Sequence, residues 1–464
     1  MKKIYLIGIK GVGMTALAIY LKQCGYYILG SDIAETFPTD SLLLENDIKV
    51  INGFSAENIN LLEKDDLVVV SAAYDEKNPE FKEAKKKHLE VIYFSEAVGK
   101  FSADKKVIIV SGVHGKTTTT AMIATLLDNA NYSPSYLIGS GLVPGLATSA
   151  KKGGGDYFVI EADEYRKSPG SSDAKFFDYN PQIAVVTSIE LDHPDMYESI
   201  DDIYNAFYKL VCRVPRNGLI VACSDYPKIK KLKNSLVDRK FETYGFANGA
   251  IWQIVDYNET ENTFFVKHEG EKIGPIKLKI FGKHNALNAT AAIIVANFVG
   301  LEMETIKKAI SNFSSVQRRF QIISDKNNIA VIDDYAHHPT AISTTLDTVR
   351  AKFPKSKIWV IFQPHTFSRT QALLKEFGQS FKHADKVLIM DIYGSAREEA
   401  GKISSLDLVE EIKKNRDNVR FIENEDQLLE ILNEQVKAPA VIITLGAGNI
   451  YKVGQKIKEL FKID

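Results

Sequence analysis

The segment from Val107 to Leu127 constrains the fold more than any other part of the chain. Its sequence, VIIVSGVHGKTTTTAMIATLL, is typical of a buried strand that passes through a glycine-containing turn into a helix. In such a turn, Gly112 and Gly115 let the backbone approach an anion, and the amides that open the helix donate to phosphate oxygens. Lys116 adds a positive charge, and the Thr117 hydroxyl is a suitable ligand for Mg²⁺. The segment therefore predicts a nucleoside triphosphate site.

This turn is shorter than the common phosphate-binding loop. The common loop follows the pattern GxxxxGK[ST], whereas only Val113 and His114 separate Gly112 from Gly115. The alternative is a simple strand-to-helix turn with a surface lysine, which the surrounding strand, helix and run of threonines disfavour. Val113, His114 and Thr118 therefore belong to the predicted phosphate site.

Length and charge limit the class of protein. A chain of 464 residues exceeds one ordinary hydrophobic core, so about three domains are expected. Lys plus Arg (58) and Asp plus Glu (59) nearly cancel, which argues against a global field for nucleic acid or an anionic membrane. The 3 cysteines lack metal-ligand spacing and suit a reducing, cytoplasmic location. No apolar run approaches the roughly 20 residues of a membrane span, and the N-terminal run is too short and glycine-broken for a signal peptide.

Strands alternate with helix-length segments along the whole chain, which predicts an α/β fold with parallel sheets. The pattern divides into three domains. Residues 1–101 form a Rossmann-like domain, residues 102–317 form a central P-loop-type α/β domain, and residues 318–464 form a second Rossmann-like domain. The central domain also contains a β-rich segment at about 241–281.

A second glycine turn follows the first strand. Gly8, Gly11 and Gly13 lie in this turn, and Asp32 ends the next strand. The arrangement resembles a dinucleotide-type site, in which glycine backbone meets pyrophosphate and the acid meets a ribose. The order is GxxGxG and not the usual GxGxxG, so glycines used only for packing are the alternative. The ligand could be a nucleotide-linked substrate or a redox cofactor.

Acidic residues follow two strands of the central region. Glu161 ends one strand, and Glu190, Asp192 and His193 come just after another. Ligands gather at the carboxyl edge of open parallel sheets. Because Mg²⁺ prefers hard oxygen ligands, Thr117 with Glu161 is a sensible metal pair, and His193 could reach a second metal. A helix cap or a surface loop is the competing explanation.

Two further groups of polar residues follow downstream. In GKHNALN, Asn285 and Asn288 could pair with an adenine edge, although asparagine is also a common helix cap. The third region places Arg and His side chains in turns after strands, where Arg suits phosphate or carboxylate. The adjacent His337 and His338 lack a third ligand at zinc spacing. The set in this region is Arg318, Arg319, Asp333, Asp334, His337, His338, His365 and Arg369.

The motifs and their order resemble the Mur ligase family over essentially the whole chain. They are GIKGVGM and GSD in the first region, GVHGKTTTTAM, EADEY, ELDH and GKHNALNA in the second, and RRF, DDYAHHPT, FQPHTFSRT, YGSARE and GAGNI in the third. The resemblance implies that the first domain holds the UDP part of a substrate. It implies that the central domain holds ATP and Mg²⁺, and that the third domain closes over the site and helps admit an amino acid.

The resemblance further implies an ATP-dependent ligase of peptidoglycan precursor synthesis, which joins L-alanine to the lactyl carboxylate of UDP-N-acetylmuramate through an acyl phosphate. It assigns Lys116, Glu161, His193 and His337 to catalysis, and Thr117, Glu161 and His193 to metal. The nucleotide set is residues 112–118, Asn285, Asn288, Arg318 or Arg319, and Asp334. The UDP-substrate set is Gly8, Gly11, Gly13, Met14, Ser31 and Asp32. The amino-acid and lactyl end is His337, His365 and Arg369.

Three other functions remain open on the sequence. A ligase that adds a ready-made tripeptide to the same sugar nucleotide shares the chemistry, although FQPHTFSRT and YGSARE favour alanine. A nicotinamide oxidoreductase would explain only the first glycine turn, and a non-catalytic nucleotide-binding subunit would not need both Lys116 and Glu161. We expect small-molecule substrates and a monomer or weak homodimer. The stretch RKSPGSSDAKFF after Tyr165 is longer than expected and predicts a surface insertion near the substrate.

Overall fold

The computed structural model describes residues 2–146, 148–394, 398 and 401–463. Its strands form three sheets, each built from one continuous stretch of the chain, and we call the three resulting parts the first, central and third units. The α/β architecture predicted from the sequence is confirmed. The three sheets fall one into each of the ranges 1–101, 102–317 and 318–464, while the precise domain limits stay a prediction.

The first unit is a parallel sheet with the strand order β3-β2-β1-β4-β5. Its strands are β1 Lys3–Ile7, β2 Tyr27–Asp32, β3 Lys49–Asn52, β4 Leu67–Val70 and β5 Glu90–Tyr93. Its helices are α1 Val12–Gln23, α2 Asp40–Glu45, α3 Pro79–Lys86 and α4 Phe94–Phe101, with a 3₁₀ helix at Ala56–Leu61. The strand β4 is buried along its length, as expected for a parallel strand covered on both faces.

The central unit is a ten-stranded sheet with the order β15-β14-β13-β12-β11-β10-β6-β9-β7-β8. Its strands are β6 Lys106–Ser111, β7 Ser135–Leu137, β8 Ala150–Lys151, β9 Tyr157–Glu161, β10 Pro181–Val186, β11 Leu219–Cys223, β12 Phe241–Gly245, β13 Trp252–Asn258, β14 Thr263–His268 and β15 Glu271–Lys277. Its helices are α5 Lys116–Asn129, α6 Ile200–Val211, α7 Pro227–Asn234, α8 Lys283–Val299 and α9 Met303–Asn312, with a 3₁₀ helix at Lys175–Asp178.

The middle of this sheet positions the phosphate-type turn. The strand β6 pairs in parallel with β9 on one side and β10 on the other, so the carboxyl ends of all three lie at the same edge. The helix α5, which follows β6, is buried from Thr117 to Leu127 and packs against α8. The predicted β-rich segment is the antiparallel run β13–β15 at the far edge of the sheet.

The third unit has the strand order β16-β17-β21-β18-β19-β20, with β16 antiparallel to β17 and the other pairs parallel. Its strands are β16 Gln321–Lys326, β17 Ile329–Asp334, β18 Lys357–Phe362, β19 Lys386–Ile389, β20 Val419–Phe421 and β21 Ala440–Leu445. Its helices are α10 Pro339–Lys352, α11 Phe367–Ala372, α12 Leu374–Gln379, α13 Ser405–Lys413, α14 Glu425–Gln435 and α15 Tyr451–Leu460. Across the described ranges, no helix has both the length and the apolar character that a bilayer crossing requires.

Candidate active site

A cavity of about 420 Å³ lies where the three units meet. The first unit contributes Gly13 and Phe94 to its wall, the central unit contributes Lys116, and the third unit contributes Arg319 and His337. Residues that are far apart in the sequence therefore line one cavity. This is the arrangement expected for a site that brings several substrates together.

The phosphate-type turn lies in this cavity wall and needs its glycines. Gly112 has φ +130° and Gly115 has φ +79°, which are conformations that residues with a side chain rarely adopt. A Cβ at Gly112 would collide with the Thr187 hydroxyl, and one at Gly115 would collide with the Asn288 amide. The helix α5 begins directly after Gly115 without a side-chain cap. Its first amides thus form an anion-binding end beside the cavity.

Lys116 forms a buried ion pair with Glu164. The Lys116 Nζ lies 2.9 Å from both carboxylate oxygens of Glu164, and the two side chains are 15% and 1% exposed. Burial opposes the charge on Lys116, but the carboxylates of Glu164 and Asp163 outweigh it and raise the pKa of the ammonium. The lysine is therefore charged, and it lines the cavity.

The predicted metal pair is in direct contact. The Thr117 hydroxyl donates to Glu161 Oε1 at 2.9 Å, and the Gly139 amide donates to Glu161 Oε2 at 2.8 Å. From the third unit, Arg319 Nη2 donates to the same Thr117 oxygen at 3.0 Å. Thr117 and Glu161 thus offer hard oxygen ligands at the opening of α5.

His193 belongs to a different cluster from Thr117 and Glu161. One ligand atom from each of Asp163, Glu164 and His193 lies within 4.8 Å of the other two. Burial favours the neutral acid at Asp163, but Lys175, Lys116 and His193 beside it hold its pKa well below the ordinary range. Asp163 and Glu164 were not among the predicted site residues. Their position directly after β9, at the edge where ligands gather, is the signal that could have found them.

The loop after β10 holds His193 in an uncommon conformation. His193 has φ +54°, and its amide donates to Asp192 Oδ1 at 2.7 Å. Arg369 Nε from the third unit donates to that same oxygen at 2.9 Å, with both side chains nearly fully buried. Burial favours neutral Asp192, but His193 and Arg369 keep its pKa well below the usual value. Arg369 therefore fixes the Asp192 carboxylate, and this carboxylate in turn fixes the backbone of His193.

The same loop contacts the third unit at two further places. The Thr340 hydroxyl of the third unit donates to Glu190 Oε1 at 3.2 Å. Within the central unit, His114 Nε2 lies 2.9 Å from Glu190 Oε2. His338 Nε2 donates to the Leu191 carbonyl at 3.3 Å, while its Nδ1 accepts from the Thr340 amide. Burial, with His114 nearby, lowers the pKa of His338 to about 4, so this imidazole is neutral. The loop and the third unit form one continuous polar contact, which we call the seam.

The residues predicted for the amino-acid and lactyl end lie together. The rings of His337 and His365 are 5.8 Å apart, and Arg369 Nη1 lies 3.4 Å from His365 Nδ1. His337 lines the cavity, and its Nδ1 donates to the Tyr335 carbonyl at 2.8 Å. Burial and the charge of Arg369 hold the pKa of His337 well below its usual value. At neutral pH its Nε2 is therefore unprotonated and can accept a hydrogen bond.

Of the two adjacent arginines, the structure brings Arg319 to the central unit and keeps Arg318 in its own unit. Arg318 donates to Asp333 Oδ2 at 3.2 Å and to the carbonyls of Gly446 and Gly448 at 2.6 and 3.2 Å. These three contacts use three of the five N–H donors of Arg318 and hold it within the third unit, and its predicted role at phosphate stays a prediction. Arg319, as described above, reaches Thr117.

Asp334 lines the cavity and also fixes the turn that presents Arg319. Its carboxylate accepts from the amides of Phe320 and Ala336 at 2.6 and 2.8 Å. Burial raises the pKa of Asp334, with the nearby Arg319 acting in the opposite direction. The sequence placed it with the nucleotide ligands, and that direct contact stays a prediction.

Asn285 and Asn288 line the cavity but also bond within the protein. Asn285 Nδ2 donates to the Phe281 carbonyl at 2.6 Å, and Asn288 Nδ2 donates to Asn285 Oδ1 at 3.2 Å. The Thr119 hydroxyl donates to Asn288 Oδ1 at 3.2 Å. Asn288 thus joins α8 to α5, and adenine recognition by this pair stays a prediction.

The first glycine turn is organised by internal contacts. Gly8 has φ +83°, and its amide donates to the Ser31 carbonyl at 2.8 Å. Asp32 accepts from the amides of Lys10 and Ile33 at 2.8 and 2.9 Å. Burial raises the pKa of Asp32, while the Lys10 amide acts against it. This carboxylate secures the turn, so its expected contact with a ribose stays a prediction.

The other predicted UDP-substrate residues differ in their access to the cavity. Gly13 lines it, whereas Met14 and Ser31 are buried in the first unit. The Ser31 hydroxyl donates to the buried Glu80 carboxylate, and the Gly11 amide donates to the Gly8 carbonyl at 3.4 Å. The side chains of Met14 and Ser31 are therefore unavailable to a ligand in this arrangement. Part of the motif YGSARE, residues 395–397, lies outside the described residues.

Comparison with known families places these observations in context. The description "Mur ligase family, catalytic domain" matches residues 3–106, "Mur ligase middle domain" matches 110–296, and "Mur ligase, glutamate ligase domain" matches 318–448. A UDP-N-acetylmuramate–L-alanine ligase from Desulfitobacterium hafniense (strain Y51) is 38% identical over 98% of this chain and 99% of its own length. The chain belongs to the Mur ligase family.

Solved structures agree with this assignment. The UDP-N-acetylmuramate-alanine ligase MurC from Thermotoga maritima superposes on this Mur ligase with a TM-score of 0.83 at 27% identity, covering 100% of this chain and 99% of its own. A murein peptide ligase from Psychrobacter arcticus 273-4 gives a TM-score of 0.75 at 26% identity, covering 99% and 98%. Both alignments span all three units.

Proposed function

We propose that this Mur ligase joins L-alanine to the lactyl carboxylate of UDP-N-acetylmuramate at the expense of ATP. The observation that carries the proposal is the cavity in which Lys116, Glu161, Asp163 and His193 of the central unit face residues of the other two units. The full-length similarity to L-alanine ligases supports the choice of substrates. The proposed reaction consumes ATP and releases ADP and phosphate.

The residues at the cavity fit Mg²⁺. Thr117 and Glu161 offer a hydroxyl and a carboxylate, and Asp163, Glu164 and His193 offer two carboxylates and an imidazole. These are predominantly hard oxygen donors, as Mg²⁺ requires. Bound there, Mg²⁺ would neutralise phosphate charge during transfer. We place one ion at Thr117 and Glu161 and a second at the cluster that contains His193.

The chain contributes mainly position and charge. A lactyl carboxylate oxygen attacks the γ-phosphorus of ATP, which gives an acyl phosphate and ADP. Lys116 and Arg319 stabilise the negative charge that develops on the phosphate oxygens. The L-alanine amine then attacks the acyl carbon, and phosphate leaves with the bonding electrons of the carbon–oxygen bond. The Nε2 of neutral His337 accepts a hydrogen bond from the attacking amine, and the leaving phosphate takes the proton that the amine loses.

A substrate panel tests this proposal. The protein is incubated with ATP, Mg²⁺ and UDP-N-acetylmuramate, and phosphate release is measured with L-alanine, with glycine, with L-serine and with the tripeptide. We expect release that depends on L-alanine and a product heavier by one alanyl residue. If phosphate is released with the tripeptide alone, the protein is instead the ligase that adds a ready-made tripeptide to the same sugar nucleotide. Absence of release with every acceptor would reject ligase activity.

A further inference from the structure

Lys175 is a buried cation in the cavity wall that the proposed mechanism does not use. Its side chain is 11% exposed, and its Nζ lies 2.6 Å from Asp163 Oδ2. The neighbours Ala174 and Phe176 are fully buried. These two buried neighbours therefore fix the position of Lys175. A lysine that only balanced charge at the surface would need neither of them.

The insertion predicted from the sequence delivers this lysine. After Tyr165 the chain leaves the sheet edge and returns, with Arg166 bridging to Ala174 and the Lys175 amide donating to the Tyr165 carbonyl at 2.9 Å. The extra residues thus form a closed loop. The loop brings Lys175 back beside Asp163, which follows β9.

Lys175 also stands at the boundary between the first and central units. It opens the 3₁₀ helix that ends at Asp178, whose Oδ2 accepts from the Ser95 hydroxyl of the first unit at 2.5 Å. On this side, Gly13 and Phe94 of the first unit form the cavity wall. Lys175 therefore lies between the unit proposed to hold the sugar nucleotide and the turn proposed to hold the γ-phosphate.

The cavity has more positive side chains than the proposed ATP site uses. Among the described lysines and arginines, those that line the cavity are Lys116, Lys175 and Arg319. The phosphates of ATP engage Lys116 and Arg319 in the proposed function. An ammonium has three donors, and Asp163 occupies one on Lys175, so two donors remain for a second anion.

We propose that Lys175 binds the lactyl carboxylate of the sugar-nucleotide substrate and holds it beside Asp163, Glu164 and His193. This inference rests on the proposed function and assigns a substrate contact to the insertion. Held there, the carboxylate is next to the second proposed metal cluster and on the γ-phosphate side of the cavity. The role is binding of the nucleophile, in addition to compensation of the Asp163 charge.

Two sugar nucleotides that differ at the lactyl group test the proposal. UDP-N-acetylmuramate carries the carboxylate, and UDP-N-acetylglucosamine lacks it. Calorimetry without ATP measures the affinity of both for the wild type and for Lys175→Met. We expect the variant to bind UDP-N-acetylmuramate about tenfold to a hundredfold more weakly and UDP-N-acetylglucosamine equally well. Lys175→Arg, which keeps the charge, should recover part of the difference.

An equal loss of affinity for both ligands, or no loss for either, would overturn the proposal. A lysine with a purely structural role would affect the binding of both sugar nucleotides in the same way. If Lys175→Met fails to fold, the double variant Lys175→Met with Asp163→Asn removes the uncompensated acid, and the same affinity ratio is measured. Phosphate release by the wild type with L-alanine is recorded in parallel. An active wild type with an unchanged ratio in the variant contradicts only the Lys175 inference, whereas an inactive wild type contradicts the proposed function.

Discussion

At the scale of single residues, the Lys116–Glu164 pair links stability to phosphate binding. Both side chains are buried, and the ammonium contacts both carboxylate oxygens. Replacing either partner leaves the other charge without compensation, which typically costs about 3–5 kcal/mol. Lys116 therefore has two separable contributions, one to folding and one to the transferring phosphate.

We expect Lys116→Ala to lower kcat by about 10²–10³ or more, because charge stabilisation in the transition state is lost. Thermal melting should also show a lower Tm for this variant. Adding Glu164→Gln removes the unpaired carboxylate and should restore part of the Tm without restoring turnover. Near-normal kcat in Lys116→Ala would contradict the assigned role.

His284, in the first turn of α8, makes stability depend on pH. Its pKa is lowered to about 4 by burial, with further effects from His114 and Arg319. The unfolded imidazole has a pKa of about 6.5. Between these values the unfolded state binds a proton that the folded state does not, so this contribution is complete above about pH 6.5 and is lost as pH falls.

We expect chemical denaturation at about pH 5 to show a free energy of unfolding lower by about 2 kcal/mol from His284 alone, relative to neutral pH. His284→Gln should lessen the pH dependence by that amount. The comparison uses the change between the two pH values within each variant, so a constant effect of the substitution cancels. Identical pH dependence in both proteins would refute this assignment.

At the scale of elements, the junction of β6 and α5 depends on the fit of Gly115 against α8. Asn288, which Gly115 faces, also accepts from Thr119 of α5. A side chain at residue 115 would meet both the left-handed backbone and the Asn288 amide. Gly154, by contrast, has open space around its Cα.

Gly115→Ala should destabilise the protein by about 2 kcal/mol or more, because strain at positive φ adds to the collision. Gly154→Ala is the matched control and should change stability by less than about 0.5 kcal/mol. Melting with and without an ATP analogue measures both effects. The expected result is a lower Tm and a smaller nucleotide-induced shift for Gly115→Ala only.

The pattern of apolar residues predicted the strands that are buried on both faces of a sheet. It missed strands that form only because they pair with a neighbouring strand. The strands β6, β9 and β10 are long apolar runs, so their existence follows from composition. The short strand β3 and the antiparallel β16 are half exposed and gain their structure from neighbours. Local sequence carries little of that information.

The same limit applies to the candidate site. Gly112, Lys116 and Thr117 were predictable because one local motif contains them. Which of Arg318 and Arg319 contacts the central unit was not predictable, because it depends on the direction in which one turn of the third unit faces the central unit. Lys175 was missed for a similar reason, since its chemistry appears only when the loop after Tyr165 closes.

At the scale of the whole molecule, the seam determines how the third unit sits on the central unit. Its ion pair is Arg369 with Asp192, and single hydrogen bonds join Thr340 to Glu190 and His338 to the Leu191 carbonyl. Since Asp192 also holds the His193 amide, the position of the third unit and the second proposed metal cluster are mechanically connected.

Removing the charged contact should therefore loosen the assembly without unfolding its units. In small-angle scattering, we expect Arg369→Met to increase the radius of gyration relative to the wild type, because Asp192 loses its cation and the remaining hydrogen bonds are weak alone. An ATP analogue with Mg²⁺ should reduce the radius again, since phosphates would draw Arg319 back to the turn before α5.

Arg350→Met, which breaks an ion pair with Asp385 inside the third unit, is the control and should leave the radius unchanged. Superimposable curves for Arg369→Met and the wild type would show that the seam does not hold the units together.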